Sequence, residues 1–168
     1  EVLLKGKKVV IKSEEAFRDS ATYTLKFSDA IRDYNEGNPI EDYEFVFATG
    51  NVIDSLKLFG TVVDAYTQKP SEAFLVMAYK NHNDSAPYLQ LPDYLAKTDK
   101  NGQYSITNVA PGSYRIFALA DANINRLFDM HEEAIAFRKE TFTPKVEIRQ
   151  VTDTIRLDSV LVNRVYEY

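Results

Sequence analysis

T-D-K-N-G-Q-Y-S-I-T-N-V-A-P-G-S-Y-R-I-F-A-L-A, residues 98–120, decides the fold. Asp99-Lys100-Asn101-Gly102 predicts a hairpin turn, because Asn-Gly tolerates the positive φ that tight turns need. Tyr104–Val109 follows as a strand, Ala110-Pro111-Gly112 as a second turn and Ser113–Ala120 as a second strand. In that second strand, period two places Tyr114, Ile116 and Ala118 on one face and Phe117 and Leu119 on the other.

The same rhythm extends outward. Leu58–Asp64 predicts a strand and Gln68-Lys69-Pro70 a turn. Ala73–Tyr79 is a continuous apolar run bounded by polar loops, which predicts a central strand. Asn81–Pro92 is a polar loop with two prolines, and Tyr94–Thr98 a further strand. Short strands punctuated every ~8–12 residues predict an all-β sandwich.

Towards the N-terminus, V-L-L-K-G-K-K-V-V-I-K (residues 2–12) carries a turn-like Lys5-Gly6-Lys7 before the apolar run Val9–Ile11. Its strand-like start implies that residue 1 lies inside a longer precursor. Thr22–Ser28 sets Tyr23, Leu25 and Phe27 on one face against Thr22, Thr24 and Lys26 on the other. Residues Asp33–Pro39 form a turn cluster, and Tyr43, Phe45 and Phe47 alternate again. About three strands are expected here, too few for an independent sandwich. Towards the C-terminus, Glu132–Phe137 is the one stretch expected to take a helical turn. Val146–Ile148 and Ile155–Val162 predict strands, with the charge of T-D-T-I-R-L-D marking an edge.

Composition narrows the function. The 168 residues suit one or two domains. Net charge is −5, pI is about 5.1 and there is no basic stripe, which argues against nucleic acid as a partner. With no cysteine there is neither a disulfide framework nor a thiolate metal site. No run of ~18 apolar residues predicts a membrane span.

Two resemblances rest on particular residues. Thr22-Tyr23-Thr24-Leu25, Ile31-Arg32-Asp33, Gly37-Asn38-Pro39 and Phe45-Val46-Phe47-Ala48-Thr49-Gly50 resemble the C-terminal half of bacterial Ig-like domains, with Glu36 as an insertion. Gly60-Thr61-Val62-Val63-Asp64-Ala65, Pro70, Val76-Met77-Ala78-Tyr79, Thr98–Tyr104, Asn108-Val109 and Pro111-Gly112-Ser113-Tyr114 resemble the transthyretin-like sandwich of carboxypeptidase regulatory-like (Cna-B-type) domains. The resemblance implies a partial Ig-like unit at 1–54, a transthyretin-like sandwich at 55–137 and a strand-containing extension at 138–168. It also implies an extracellular, cell-surface or periplasmic setting, as in outer-membrane lipoproteins of Gram-negative bacteria. The partner expected there is a protein or glycan, together with adjoining domains of the precursor. An accessory domain of a larger secreted enzyme is a further implication.

The sharpest chemical pattern is D-A-N-I-N-R-L-F-D-M-H-E, residues 121–132. Asp121, Asn123, Asn125, Asp129 and Glu132, with the Leu127 carbonyl, have the spacing of a calcium loop, in which a hard cation gathers oxygens from a tight curl of chain. Arg126 departs from the Gly usual at the sixth position. The alternative is a set of Asx-turns in an inter-strand loop. Tyr66, Tyr79, Tyr88 and Tyr94 flank the loops and are candidate stacking surfaces; of these, Tyr66, Tyr88 and Tyr94 are the candidate ligand-binding residues. His82 and His131 lack zincin spacing. No serine lies in a G-x-S-x-G elbow, and no carboxylate pair stands out for glycoside hydrolysis. Lys57 is the candidate for a Lys–Asn crosslink of the kind some Cna-B-type domains carry, although no buried acid can be assigned to it. The expected protein is a non-enzymatic structural or binding module.

Overall fold

The computed structural model describes residues 2–5, 8–13, 16–27, 30–33, 35–40, 43–145, 151–157 and 160–166, the last two stretches by backbone alone. Among these residues the chain is all-β, with antiparallel strands throughout and a single four-residue helix.

Two sheets form the sandwich. Strands β5 (Leu56–Thr61) and β8 (Gln103–Val109) make one. Strands β10 (Ile135–Phe137), β9 (Arg115–Leu119), β6 (Leu75–Tyr79) and β7 (Tyr94–Lys97) make the other, in that order. Alternation explains how they meet: Leu58, Ile106 and Val109 face Val76, Ala78, Ala96, Tyr114 and Ala118 across one buried core. The predicted faces of 113–120 are found, since Phe117 and Leu119 point the other way, into a second cluster with Met77 and Tyr79. Strand β6 is therefore buried on both faces, which is why its sequence is apolar without interruption. The second cluster is closed by Ala86 from the helix α1 (Ala86–Leu89), by Phe128 and by Ile135. Burial pushes the Tyr79 hydroxyl up to about 12, with the Asp93 carboxylate adding to the shift. Burial likewise raises Tyr114, whose hydroxyl donates to the Ala110 carbonyl at 2.8 Å.

The turn at 99–102 departs from expectation in one respect. Strand β7 pairs with β6 and strand β8 with β5, so the turn carries the chain between sheets instead of closing a hairpin within one. Gly102 has φ +70, while Asn101 is not in the left-handed region. The Asp99 carboxylate accepts the N–H groups of Asn101 and Gln103, each at 2.8 Å. A Cβ on Gly102 would come within 2.4 Å of the Val62 carbonyl oxygen, so both space and φ demand glycine.

Three other expectations shift. The polar loop 81–92 contains α1, with Pro87 in its first turn, where a missing N–H costs nothing. The stretch expected to be helical contains β10 instead: Ile135 and Phe137 pair with Leu119 and Phe117 on β9. The predicted strand 155–162 is two strands, β11 (Val151–Leu157) and β12 (Val160–Tyr166), with Ile155 opposite Val162. The expected strand Val146–Ile148 lies outside the described residues.

Before the sandwich lie two ribbons, giving four strands where three were expected. Strand β1 (Val2–Lys5) pairs with β2 (Lys8–Ile11), and β3 (Thr22–Lys26) with β4 (Glu44–Ala48). The polar face of β3–β4 meets the sandwich. Asn108 Nδ2 donates to Thr24 Oγ1 at 2.9 Å, Thr107 Oγ1 to Glu44 Oε2 at 3.4 Å, and the Asp54 N–H to Thr22 Oγ1 at 2.9 Å. Asn108 reaches across because β8 is irregular there: its φ is +58, and the register slips between Leu56 and Leu58.

Candidate functional site

The loop from Asp121 to Glu133 lies over the outer face of the four-stranded sheet, between β9 and β10. Its polar side chains bind one another and the backbone. Asp121 accepts the N–H groups of Asn125 and Arg126, at 3.2 and 2.9 Å. Asn123 Oδ1 accepts the Asn125 N–H, and Asn125 Oδ1 the Leu127 N–H. The amides of Asn123 and Asn125 then donate to the two oxygens of Asp129, at 3.1 and 2.7 Å. Asp121, Asn123, Asn125, Leu127 and Asp129 are thus brought together, as a self-bonded set of Asx-turns. A cation among them would require both asparagine amides to turn their Nδ2 atoms away from Asp129. Among the described residues no group of three or more His, Asp or Glu is gathered as a metal would need.

Glu132 is exposed and stands outside this set, whereas Glu133, unremarked in the sequence, is only 5% exposed. Its carboxylate accepts the N–H groups of Ala122, Asp129 and Met130, at 3.1, 3.3 and 3.3 Å, and so ties the two ends of the loop together. The signal for it was the alternation Glu133, Ile135, Phe137, which places the second glutamate of the pair on the inward side as β10 begins. Ile124 and Arg126 are held at φ +61 and +65, conformations that L residues, and β-branched ones above all, seldom adopt.

Helix α1 is fastened to this loop. The Phe128 N–H donates to the Pro87 carbonyl at 2.9 Å, and the rings of Tyr88 and Phe128 meet edge to face at 4.8 Å. Tyr88 and Leu91 remain about half exposed, Leu89 77% and Ile124 82%. The loop and helix therefore display apolar side chains from a backbone fixed at many points, the usual arrangement of binding loops on a rigid scaffold.

The four tyrosines separate. Tyr66 is 97% exposed on a turn that Asp64 pins by accepting the Thr67 N–H and hydroxyl and the Tyr66 N–H. Those hydrogen bonds, the Thr67 N–H first, hold the Asp64 carboxyl below the usual carboxylate range. Tyr88 is about half exposed. Tyr94 is half-buried, its ring against Tyr114 and its hydroxyl accepting the Ala110 N–H. Tyr79, expected beside the loops, is instead fully buried, because it lies on the doubly covered strand β6. His82 and His131 are exposed, and His82 Nε2 lies 3.0 Å from the Ser113 carbonyl oxygen. Lys57 is exposed on β5. A groove of about 370 Å³ opens between β5 and β10, lined by Phe59, Val63, Val76, Ile116, Phe137 and Phe142 among others. Among the described residues no helix is long and apolar enough to cross a membrane. Comparison of the chain with family models, with curated proteins and with solved structures finds no match.

Proposed function

We propose that this chain is a non-enzymatic structural and binding module of an exported bacterial surface or periplasmic protein. In this proposal a transthyretin-like sandwich stands behind a partial Ig-like unit and meets a protein or glycan through α1 and the loop Asp121–Glu133. The observation that carries it is the exposure of Ile124 on a loop pinned from within by Glu133, beside Tyr88 and Leu89 exposed on the helix α1 fastened to that loop. Exposed apolar side chains on pre-ordered backbone lose little conformational freedom on binding, which favours recognition. The test is a panel of immobilised glycans and bacterial surface proteins probed with the chain and with Tyr88→Ala and Ile124→Ser variants. Binding reduced about tenfold or more in the variants, with unchanged melting, supports the proposal; a loss of about 1.4 kcal/mol corresponds to that factor. Binding indifferent to both variants refutes it.

A calcium-braced version of the same surface is favoured by one observation. Arg126, at the position where a calcium loop usually has Gly, already adopts a left-handed φ of +65. Melting in calcium, magnesium and EDTA tests it, with Asp121→Ala alongside. A site in hundredfold excess of ligand over Kd raises stability by about 2.7 kcal/mol, and that rise should vanish in the variant.

A further inference from the structure

We propose that Asn101 is a self-modification site, kept silent by the folded turn and released when the sandwich opens there. Asn101 is the one asparagine of the chain followed by glycine. Glycine leaves the next backbone nitrogen unscreened by a Cβ, so in an open chain that nitrogen can close on the asparagine side chain. The Gly102 nitrogen bonds to Asn101 Cγ, its proton leaves with Nδ2 as ammonia, and a cyclic imide remains. Water then opens the ring. Cleavage of the nitrogen from Cγ gives aspartate. Cleavage from the backbone carbonyl carbon gives isoaspartate, in which the main chain runs through Cγ.

The folded turn opposes each part of that step. Asn101 is exposed, so water and base reach it, yet Gly102 is buried. The Gly102 N–H, whose proton must leave, donates to the Asp99 carbonyl at 2.9 Å. The Gly102 carbonyl accepts the Val62 N–H at 2.8 Å, so the peptide units on both sides of Gly102 are held. The Asp99 carboxylate, which accepts the N–H groups of Asn101 and Gln103, sets a negative charge beside the turn and disfavours the anion that the attacking nitrogen must become. Ring closure needs Asn101 to leave this arrangement, which breaks these bonds together.

The isoaspartate product also opposes the fold. It adds a carbon to the main chain between residues 101 and 102, at a glycine where even a Cβ would meet the Val62 carbonyl, the Ser71 nitrogen and the Pro70 Cα. The same turn carries the chain from one sheet to the other, and β8 enters its register at Gln103, opposite Thr61. A longer turn forfeits the Asp99 bonds and displaces that first pair. The site therefore works one way: an opening that lasts long enough for ring closure leaves a chain that cannot close as before.

The full chain is to be incubated at mildly alkaline pH, folded and in guanidinium chloride, and read by intact mass, peptide mapping and enzymatic methylation of isoaspartate. In denaturant a gain of one mass unit should appear at Asn101, faster as pH rises; in the folded chain it should be slower by about tenfold or more. Asn101→Gln should remove it, because the larger ring closes far less readily. Asp99→Ala, shown by circular dichroism to be folded, should speed modification of the folded chain at Asn101. The isoaspartate form, separated and refolded, should melt below the unmodified chain, whereas Asn101→Asp should melt with it. Equal rates in the folded and denatured wild type overturn the proposal, a comparison that needs no variant to fold. So does denatured modification that spares Asn101, a folded Asp99→Ala chain no faster than wild type, or an isoaspartate chain with unchanged melting. None of these outcomes touches Tyr88 or Ile124, so the binding surface of α1 is tested separately.

Discussion

The sandwich and the β3–β4 ribbon are written in the same period-two code and use it in opposite ways. In β5 and β8 the apolar residues Leu58 and Ile106 turn inward, and the outer side carries Lys57, Thr61, Gln103 and Ser105 with Phe59 as the one exposed ring among them. In β3–β4 the polar face is docked, through Thr22, Thr24 and Glu44, and the aromatic face is left open. Alternation shows that a strand has two unlike faces. It does not say which of them the rest of the chain will cover, because that depends on what lies opposite after folding.

The sharpest way to break this comparison is to truncate one residue on each side. Leu119→Ala, in the closed second cluster, should cost about 2–5 kcal/mol, whereas Phe45→Ala, on the open face, should cost less than about 1 kcal/mol. Gly102→Ala belongs with the first, at about 3 kcal/mol or more, since both φ and the Val62 carbonyl oppose a side chain. Urea titration of the three variants checks the order; equal losses at Leu119 and Phe45 would mean that the aromatic face is buried in the free chain.

How much was legible follows from the same distinction. The sandwich strands, the faces of 113–120 and the central place of β6 could be read because they depend on local period and on uninterrupted hydrophobicity. The destination of the turn at 99–102 could not, because Asn-Gly specifies a reversal and leaves open which sheet receives the next strand. The short β10 was hidden by Glu132-Glu133, whose charges suggest an exposed helical turn; one of them is buried under three N–H donors. At the candidate site, the clustering of Asp121, Asn123, Asn125 and Asp129 was visible as spacing. The role of Glu133 needed the loop closed to be recognised.

The adjacent glutamates give the next contrast. Glu133→Ala leaves three N–H groups without their acceptor in a half-buried loop and should destabilise by about 3 kcal/mol, while Glu132→Ala should stay within about 0.5 kcal/mol. Thermal melts decide it, and equal effects would count against the pinning of the loop. Alkali tests the closed cluster around Tyr79. Tyr79 is raised in the folded chain to about 12, above the ordinary 10.0, so its contribution is complete below pH 10 and is lost as pH rises from there towards 12. Tyrosinate absorbance from Tyr79, read as the part lost in Tyr79→Phe, should therefore appear only well above pH 10, with the opening of the sandwich. Ionisation of Tyr79 at the ordinary value of 10.0 would contradict the burial of β6.

The smallest expected effect sharpens the picture of the loop. Arg126→Gly should stabilise by up to about 1 kcal/mol, because glycine accepts the left-handed φ without strain. A loss instead would show that the Arg126 side chain contributes more than its backbone conformation costs.

The joint between ribbon and sandwich has a mechanical consequence. It is held by Asn108–Thr24, Thr107–Glu44 and Asp54–Thr22, with an exposed Arg18–Asp93 ion pair beside them. Water can replace each of these bonds, whereas nothing comparable can replace the contacts among Tyr79, Phe117 and Leu119. A load applied across this wet seam would part ribbon from sandwich before it opened the core, and the bonds would re-form when the load is released. The seam would act as a reversible hinge-pin that spares the sandwich from unfolding.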